Sequence, residues 1–147
     1  MVVKGSLAVD RKTPVALSVV TAKEIEEKLS TQEFPEILKS LPSVYATKEG
    51  GAFGDGRINL RGFETENIAV MVNGVPMNEM EWGGIYWSNW SGLADVTRFI
   101  QVQRGLGASK VSVPSVGGSI NIVTNSTNAV AGGSVSYGVG NDGYNKV

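Results

Sequence analysis

Glycine is unusually frequent in this sequence, which predicts a chain rich in turns, loops or close backbone contacts. Of the 147 residues, 19 are glycine, against an average usage of about 7%. No stretch approaches the roughly 18 consecutive apolar residues that a membrane-spanning helix needs. We therefore expect short strands and helices joined by long loops.

The charges and the missing residue types remove several classes of function. Thirteen basic and fourteen acidic residues give a net charge of -1, so there is no basic surplus for binding a nucleic acid backbone. The chain has no histidine and no cysteine, which removes imidazole and thiolate metal ligands and the commonest general base. We expect one domain with no metal, no cofactor, no nucleic acid partner and no enzymatic activity.

The first part of the chain predicts one strand followed by two short helices. Residues 15–20 are rich in β-branched side chains, which favours a strand. Thr21 and Glu24 then have the spacing of a capping box, which predicts a helix over residues 22–29. A second capping-box pattern and apolar residues at helical spacing predict another helix within residues 30–41.

Later segments have the patterns of short strands, namely residues 44–47, 58–61, 68–72, 96–104 and 119–124. We expect 58–61 and 68–72 to be central strands, with a tight turn at Asn73-Gly74. Residues 134–139 alternate like one strand of a barrel before a turn at 140–143. The order of elements predicts an α+β fold: a small mixed β-sheet with short helices and long Gly-rich loops.

Residues 77–92 form one of these loops and hold all three tryptophans of the chain. Exposed aromatic rings in a polar segment would cost solubility unless they had a purpose. They pack against the domain or a barrel wall, or they contact a ligand. An alternative function is a soluble carbohydrate-binding module that uses this Trp-rich loop as a stacking platform.

Two other patterns carry little chemistry. Residues 105–110 follow a predicted strand and resemble a dinucleotide-binding turn, but Lys110 occupies the third glycine position and Pro114 prevents a sustained helix. Glu79, Glu81 and Asp95 have no nucleophile or base beside them, so we interpret them as solvated acids.

From Pro14 to Thr124 the order of segments resembles the plug domain of TonB-dependent receptors. The resemblance is carried by TPVALSVVTAKEIEEKL, LPSV, and INLRGF followed by IAVMVNGVPM. Its most specific part is FIQVQRGLGASKVSVPSVGGSINIVT, which is similar without gaps to the family's closing signature. Leu106 in place of the usual Pro, Val111-Ser112 in place of Tyr-Gly, and Asn73 in place of Asp indicate a divergent subfamily.

The resemblance implies a plug that closes a large antiparallel barrel and helps to bind cargo. Such receptors take up scarce nutrients, such as iron chelates, cobalamin or glycans, across the outer membrane with energy delivered by TonB. Arg61 and Arg104 match the family's arginines that form ion pairs with barrel acids, and without a barrel both should be solvated. The motif positions are Gly62, Gly74, Gly105, Gly117, Gly118 and Asn121.

By the same resemblance, residues 48–57 and 77–92 are candidates for the outward-facing apex that contacts cargo. The candidate contact residues are Phe53, Arg57, Glu79, Trp82, Tyr86, Trp87 and Trp90.

The resemblance also divides the chain into two parts. Residues 1–127 are expected to be the plug, and residues 128–147 the beginning of the C-terminal barrel, whose first strand starts near Ala131. A barrel of about 22 strands at roughly 10 residues each cannot be made from the residues after Thr124, so we expect a part of a longer protein.

The TonB-binding segment should precede the plug. The plug is expected inside the barrel lumen, facing the periplasm, and soluble as an isolated domain because the lumen is hydrophilic.

Overall fold

The computed structural model describes residues 16–29, 32–49, 55–105, 113–125, 132–133 and 135–147. The helices are α1 (Ala22–Leu29) and α2 (Phe34–Ile37), and single 3-10 turns cover Leu38–Ser40, Thr65–Asn67, Trp87–Trp90 and Asn141–Gly143. In chain order the strands are β1 (Ala16–Thr21), β2 (Val44–Lys48), β3 (Gly56–Leu60), β4 (Ile68–Val72), β5 (Val75–Pro76), β6 (Thr97–Arg104), β7 (Gly118–Thr124), β8 (Gly138–Val139) and β9 (Asn145–Lys146).

The main sheet has five strands in the order β1-β6-β7-β4-β5. β4 and β7 run parallel, whereas the other neighbouring pairs are antiparallel. This mixed sheet with two short helices confirms the predicted α+β class. β7 lies between β6 and β4, and its residues from Gly118 to Ile122 are all buried.

The first helix begins as the sequence predicts. The backbone N–H of Thr21 donates to the Glu24 carboxylate at 2.8 Å, and the Glu24 N–H lies 3.4 Å from the Thr21 hydroxyl. This reciprocal pair is the capping box. The second helix begins at Phe34, which is later than predicted. Its capping box is formed by Glu33, whose backbone N–H donates to the Glu36 carboxylate at 3.2 Å. Ser30 and Thr31, which carried that prediction, lie outside the described residues.

One strand lies in a different sheet from the one predicted. β3 pairs antiparallel with β2 in a separate two-stranded sheet, so residues 58–61 do not form a central strand. Ile58 and Leu60 are buried at 1% and 0% exposure, as the alternating pattern predicts. The pattern identifies which face of a strand is buried, but it carries no information about the partner strand.

The core joins the two sheets and the helices. Ile100, Val102, Ile120 and Ile122 of the main sheet are fully buried, together with Ile37. Burying each such side chain stabilises the fold by about 1.5–3 kcal/mol. The remaining buried apolar residues in this cluster include Val20, Ile25, Phe34, Leu38, Ala46, Ile58, Leu60, Ile68, Val70, Ile85, Trp87 and Leu93.

The tail forms a short hairpin of β8 and β9 around the turn over Asn141–Gly143. The turn is where the sequence predicts it, but of the predicted strand over residues 134–139 only Gly138–Val139 is a strand, since residues 135–137 are irregular and Ser134 lies outside the described residues. That this hairpin opens a barrel stays a prediction, as does the boundary near residue 127. Within the described ranges no helix is both long and apolar enough to cross a membrane.

Candidate functional site: an arginine pair and an aromatic pocket

Arg61 lies in a tight turn that forces it into an unusual backbone conformation. Leu60 and Phe63 exchange backbone hydrogen bonds at 3.0 Å across Arg61 and Gly62. Both central residues have positive φ, 56° for Arg61 and 83° for Gly62, as a two-residue hairpin turn of type I′ requires. Asparagine and glycine are preferred at such positions, so an arginine there is placed at a cost of roughly 1–2 kcal/mol.

Arg104 ends β6 close to the same place. Its Nη1 donates to the carbonyl of Pro42 at 3.3 Å, while the backbone N–H of Arg61 donates to the carbonyl of Ser43 at 2.8 Å. The Arg61 guanidinium also lies against Gly105, since a Cβ atom there would be 2.8 Å from Arg61 Nη1. The fold therefore brings together Arg61 and Arg104, which we call the arginine pair.

No carboxylate neutralises the arginine pair in the part of the chain that the structure describes. The ion pairs found there are Lys23–Glu27, Lys48–Glu36 and Arg57–Glu49. Arg61 is exposed, as predicted. Arg104 differs from the prediction, because it is half-buried and its Nε is buried with no partner among the described residues. The strand and the Pro42 carbonyl hold this side chain in place instead of leaving it in solvent.

The remaining motif residues shape the backbone around the pair. Gly105 N–H donates to the Gly117 carbonyl at 3.1 Å, and Gly117 N–H donates to the Asn67 carbonyl at 3.0 Å. Gly118 cannot carry a side chain, because a Cβ atom there would overlap the Gln103 carbonyl of the neighbouring strand. Gly74 forms the turn after β4, and the Asn121 side chain accepts its N–H at 3.1 Å.

A second region is a pocket of about 180 Å³, which we call the aromatic pocket. Arg57, Trp82 and Tyr86 lie in its wall, as three of the predicted contact residues. The rings of Trp82 and Tyr86 are 5.4 Å apart with an interplanar angle of 59°, and they remain 39% and 51% exposed. The pocket is also lined by Glu49, Asp55, Gly56, Thr65 and Ile85.

The pocket joins two loops that are distant in sequence. Arg57 Nη2 lies 2.8 Å from Glu49 Oε1, which ties the two ends of the β2–β3 loop together. Asp55 Oδ1 lies 3.4 Å from the backbone N–H of Ser88, which links this loop to residues 77–92. The pocket wall is therefore built by both loops that the sequence predicts to form one apex.

The other predicted contact residues lie elsewhere. Trp87 is 3% exposed and stacks on Phe34 at 5.0 Å between ring centroids, so within this domain it belongs to the core rather than to a contact surface. Trp90 is partly buried and packs against the core. Glu79 is not among the residues that line the pocket, but its Oε2 accepts the backbone N–H of Trp82 at 3.3 Å. Phe53 lies outside the described residues.

Two residues that hold the loop carrying Trp82 in place were missed by the sequence patterns. The Asn78 side chain accepts the Val70 N–H at 2.8 Å and donates to the carbonyls of Ile68 and Gly83 at 2.9 and 2.7 Å, which fixes the loop to β4. Gly84 lies under the ring of Trp82. The consecutive glycines 83–84 could have indicated that Gly84 has a structural role, whereas an asparagine in a loop normally indicates only a turn.

The described side chains at these two regions are suited to ion pairing and aromatic contact. No group of three or more histidine, cysteine, aspartate or glutamate residues suited to a metal occurs within the described ranges.

Comparison with known proteins places these features in a family. Residues 9–139 match the family model described as "TonB-dependent Receptor Plug Domain". The ferric enterobactin receptor PirA of Pseudomonas aeruginosa is 30% identical over 84% of this chain, and the vitamin B12 transporter BtuB of Vibrio vulnificus is 32% identical over 95% of it. This chain spans only 18% and 22% of those two proteins.

Solved structures show the same fold. The siderophore receptor PirA from Pseudomonas aeruginosa matches with a TM-score of 0.55 and 26% identity, over 79% of this chain and 19% of that one. The ferric enterobactin receptor PfeA from the same organism, in complex with enterobactin, matches with a TM-score of 0.59 and 26% identity, over 80% of this chain and 18% of that one. The similar proteins are receptors and transporters. This chain belongs to the plug domains of TonB-dependent receptors.

Proposed function

We propose that this chain is the gate of an outer-membrane transporter that takes up a scarce nutrient with energy from TonB. The plug fills the lumen of a β-barrel formed by the rest of the same protein and faces the periplasm. The proposal is supported by relatives named as receptors for ferric enterobactin and transporters for vitamin B12. Ferric chelates and cobalamin are therefore the first cargoes to test, and no finding favours a free-standing carbohydrate-binding module.

The observation that carries this proposal is the arginine pair. The Arg104 guanidinium contacts the Pro42 carbonyl and the Arg61 guanidinium lies against the adjoining Gly105, and neither has a carboxylate partner among the described residues. Arg61 also occupies a turn position where arginine is unfavourable. Such strain is retained where the surrounding structure and function require it. Carboxylates on the barrel wall would form ion pairs with both guanidinium groups. Paired hydrogen bonds in each ion pair would fix the position of the plug.

The aromatic pocket is the proposed contact surface for cargo. Trp82 and Tyr86 present ring surface, while Arg57 and Glu79 add polar groups at the wall and rim. β3 links the two regions: Gly56 and Arg57 contribute to the pocket, and Arg61 directly follows the strand. A strand of five residues spans about 17 Å, so the cargo contact and the docking contact lie on one short rigid element.

The test is to express the complete reading frame of the gene and ask whether its product forms a barrel in the outer membrane. In that protein, Arg61→Ala and Arg104→Ala should loosen the plug, so that large antibiotics normally excluded by the outer membrane enter the cell. Arg98→Ala is the matched control, because Arg98 is an exposed arginine on the same strand as Arg104.

The outcomes separate the parts of the proposal. A leak in both variants but not in the control supports docking by the arginine pair. A barrel with no leak in either variant rejects the docking role while keeping the transporter. A full-length product that stays in the soluble fraction rejects the transporter itself.

A further inference from the structure

The aromatic pocket has an excess of negative charge. Its wall holds two carboxylates, Glu49 and Asp55, against the single guanidinium of Arg57, which is already paired with Glu49. The Glu79 carboxylate lies next to one of the wall residues, since its Oε2 accepts the backbone N–H of Trp82 at 3.3 Å.

The size of the pocket limits what enters it. Its volume is about 180 Å³, and a cavity of roughly 150 Å³ holds one benzene molecule. The pocket therefore accommodates one ring or one alkylated ammonium group rather than a whole chelate.

The exposed rings of Trp82 and Tyr86 also favour a cation. The face of an indole or phenol ring carries negative potential and attracts a cation placed within about 6 Å of its centre. Trp82 and Tyr86 meet at a 59° angle and stay accessible from the pocket. The rings and the carboxylates thus favour the same kind of ligand.

We infer that the aromatic pocket binds an organic cation, as a single alkylated ammonium group of the cargo. Anionic groups are disfavoured at this point of the surface. This inference rests on the proposed role of the pocket as a cargo contact. It further specifies the charge of the cargo group that the pocket binds.

The test compares two probes of nearly the same shape. Choline carries a trimethylammonium group, and 3,3-dimethyl-1-butanol has a neutral carbon in place of the nitrogen. Each is titrated into the 147-residue chain while the indole N–H signal of Trp82, assigned with a Trp82→Phe variant, is followed by NMR. Choline should bind about tenfold more tightly than the alcohol, and raising the salt concentration should reduce that difference because salt screens charges.

Two variants test whether the carboxylates cause the preference for a cation. Asp55→Asn and Glu79→Gln should each lower choline affinity a few-fold and leave the alcohol unchanged. Glu26→Gln, an exposed acid on α1, is the control and should change neither.

The remaining outcomes distinguish the charge preference from the contact role. If the alcohol, glucose or acetate shifts the Trp82 signal as strongly as choline, the charge preference is wrong and the pocket remains a contact site. If no probe shifts that signal, both the preference and the proposed contact role of the pocket are wrong.

Discussion

The indole of Trp82 lies directly on the backbone of Gly84. A Cβ atom on Gly84 would overlap the six-membered ring, so the absence of a side chain at this position allows the ring to turn back across the loop. Hydrogen bonds close the same loop, since Glu79 N–H donates to the Gly84 carbonyl at 2.7 Å and Gly83 N–H donates to the Glu79 carbonyl at 2.9 Å. Gly84 thereby sets the position of one wall of the aromatic pocket.

Gly84→Ala should displace Trp82 and separate it from Tyr86. The loss of such an aromatic pair costs about 0.5–1.5 kcal/mol, and the pocket should lose its ring surface. The change is measured as the Trp82 indole shift and as the free energy of unfolding in urea. Gly133→Ala is the control, because no atom of the described residues lies within 4 Å of a Cβ atom there. An unchanged Trp82 signal in Gly84→Ala would show that the ring does not depend on Gly84.

Arg61→Asn should stabilise the isolated chain while removing the proposed docking contact. Asparagine accepts the left-handed conformation of this turn, where φ is 56°, so the free energy of unfolding should rise by up to about 1 kcal/mol. Arg98→Asn should bring no gain, because Arg98 is on the extended strand β6 and asparagine is disfavoured in strands. Equal or lower stability of Arg61→Asn would mean that the Arg61 side chain contributes contacts that outweigh its strained backbone.

Asn78→Ala should release the loop from β4. It removes the partner of the buried Val70 N–H and of the buried Ile68 carbonyl, and each unpaired group costs about 1–3 kcal/mol. Native-state hydrogen exchange should show faster exchange at the Val70 amide, together with a lower free energy of unfolding. Asn89→Ala, at an exposed residue of the same loop, should change neither value. Slow exchange at Val70 in the Asn78 variant would contradict the role assigned to this side chain.

The stability of α1 should depend on acid pH through Glu24. The backbone N–H of Thr21, and then its hydroxyl, hold the pKa of Glu24 below its ordinary value. A carboxyl group whose pKa is lowered in the folded state stabilises that state above its unfolded pKa, and this contribution is lost as the pH falls through the folded pKa. The helix should therefore weaken on acidification below the ordinary glutamate range.

Thr21→Val tests this linkage. The variant removes the hydroxyl and keeps the backbone N–H, so the pKa of Glu24 measured by NMR titration should rise but stay below its ordinary value. Thr21→Ser retains the hydroxyl and should leave the pKa close to that of the parent chain. A pKa of Glu24 that does not move in Thr21→Val would mean that the Thr21 hydroxyl makes no contribution to it.

Features that depend on neighbours in sequence could be predicted without the structure. The capping box of α1, the Asn73-Gly74 turn and the strand containing residues 119–124 follow from local residue types and alternation. The family signature across residues 99–124 depends on order along the chain in the same way, and the match to the plug family confirms it.

Features that depend on distant parts of the chain needed the tertiary structure. Sequence patterns group Trp82, Tyr86, Trp87 and Trp90 as one aromatic segment, but packing against Phe34 buries Trp87 and leaves Trp82 and Tyr86 at the surface. No periodicity distinguishes these rings, because their burial is decided by elements that are distant in sequence.

The sequence by itself determined the class of fold, the positions of most strands and the family, because these depend on local propensity and residue order. The tertiary structure alone decided that Arg61 and Arg104 converge on residues 42–43 and that β3 leaves the main sheet. The physical reason is that strand partners and side-chain neighbours are chosen by long-range packing, which optimises the burial of the whole core and leaves no mark in any single segment.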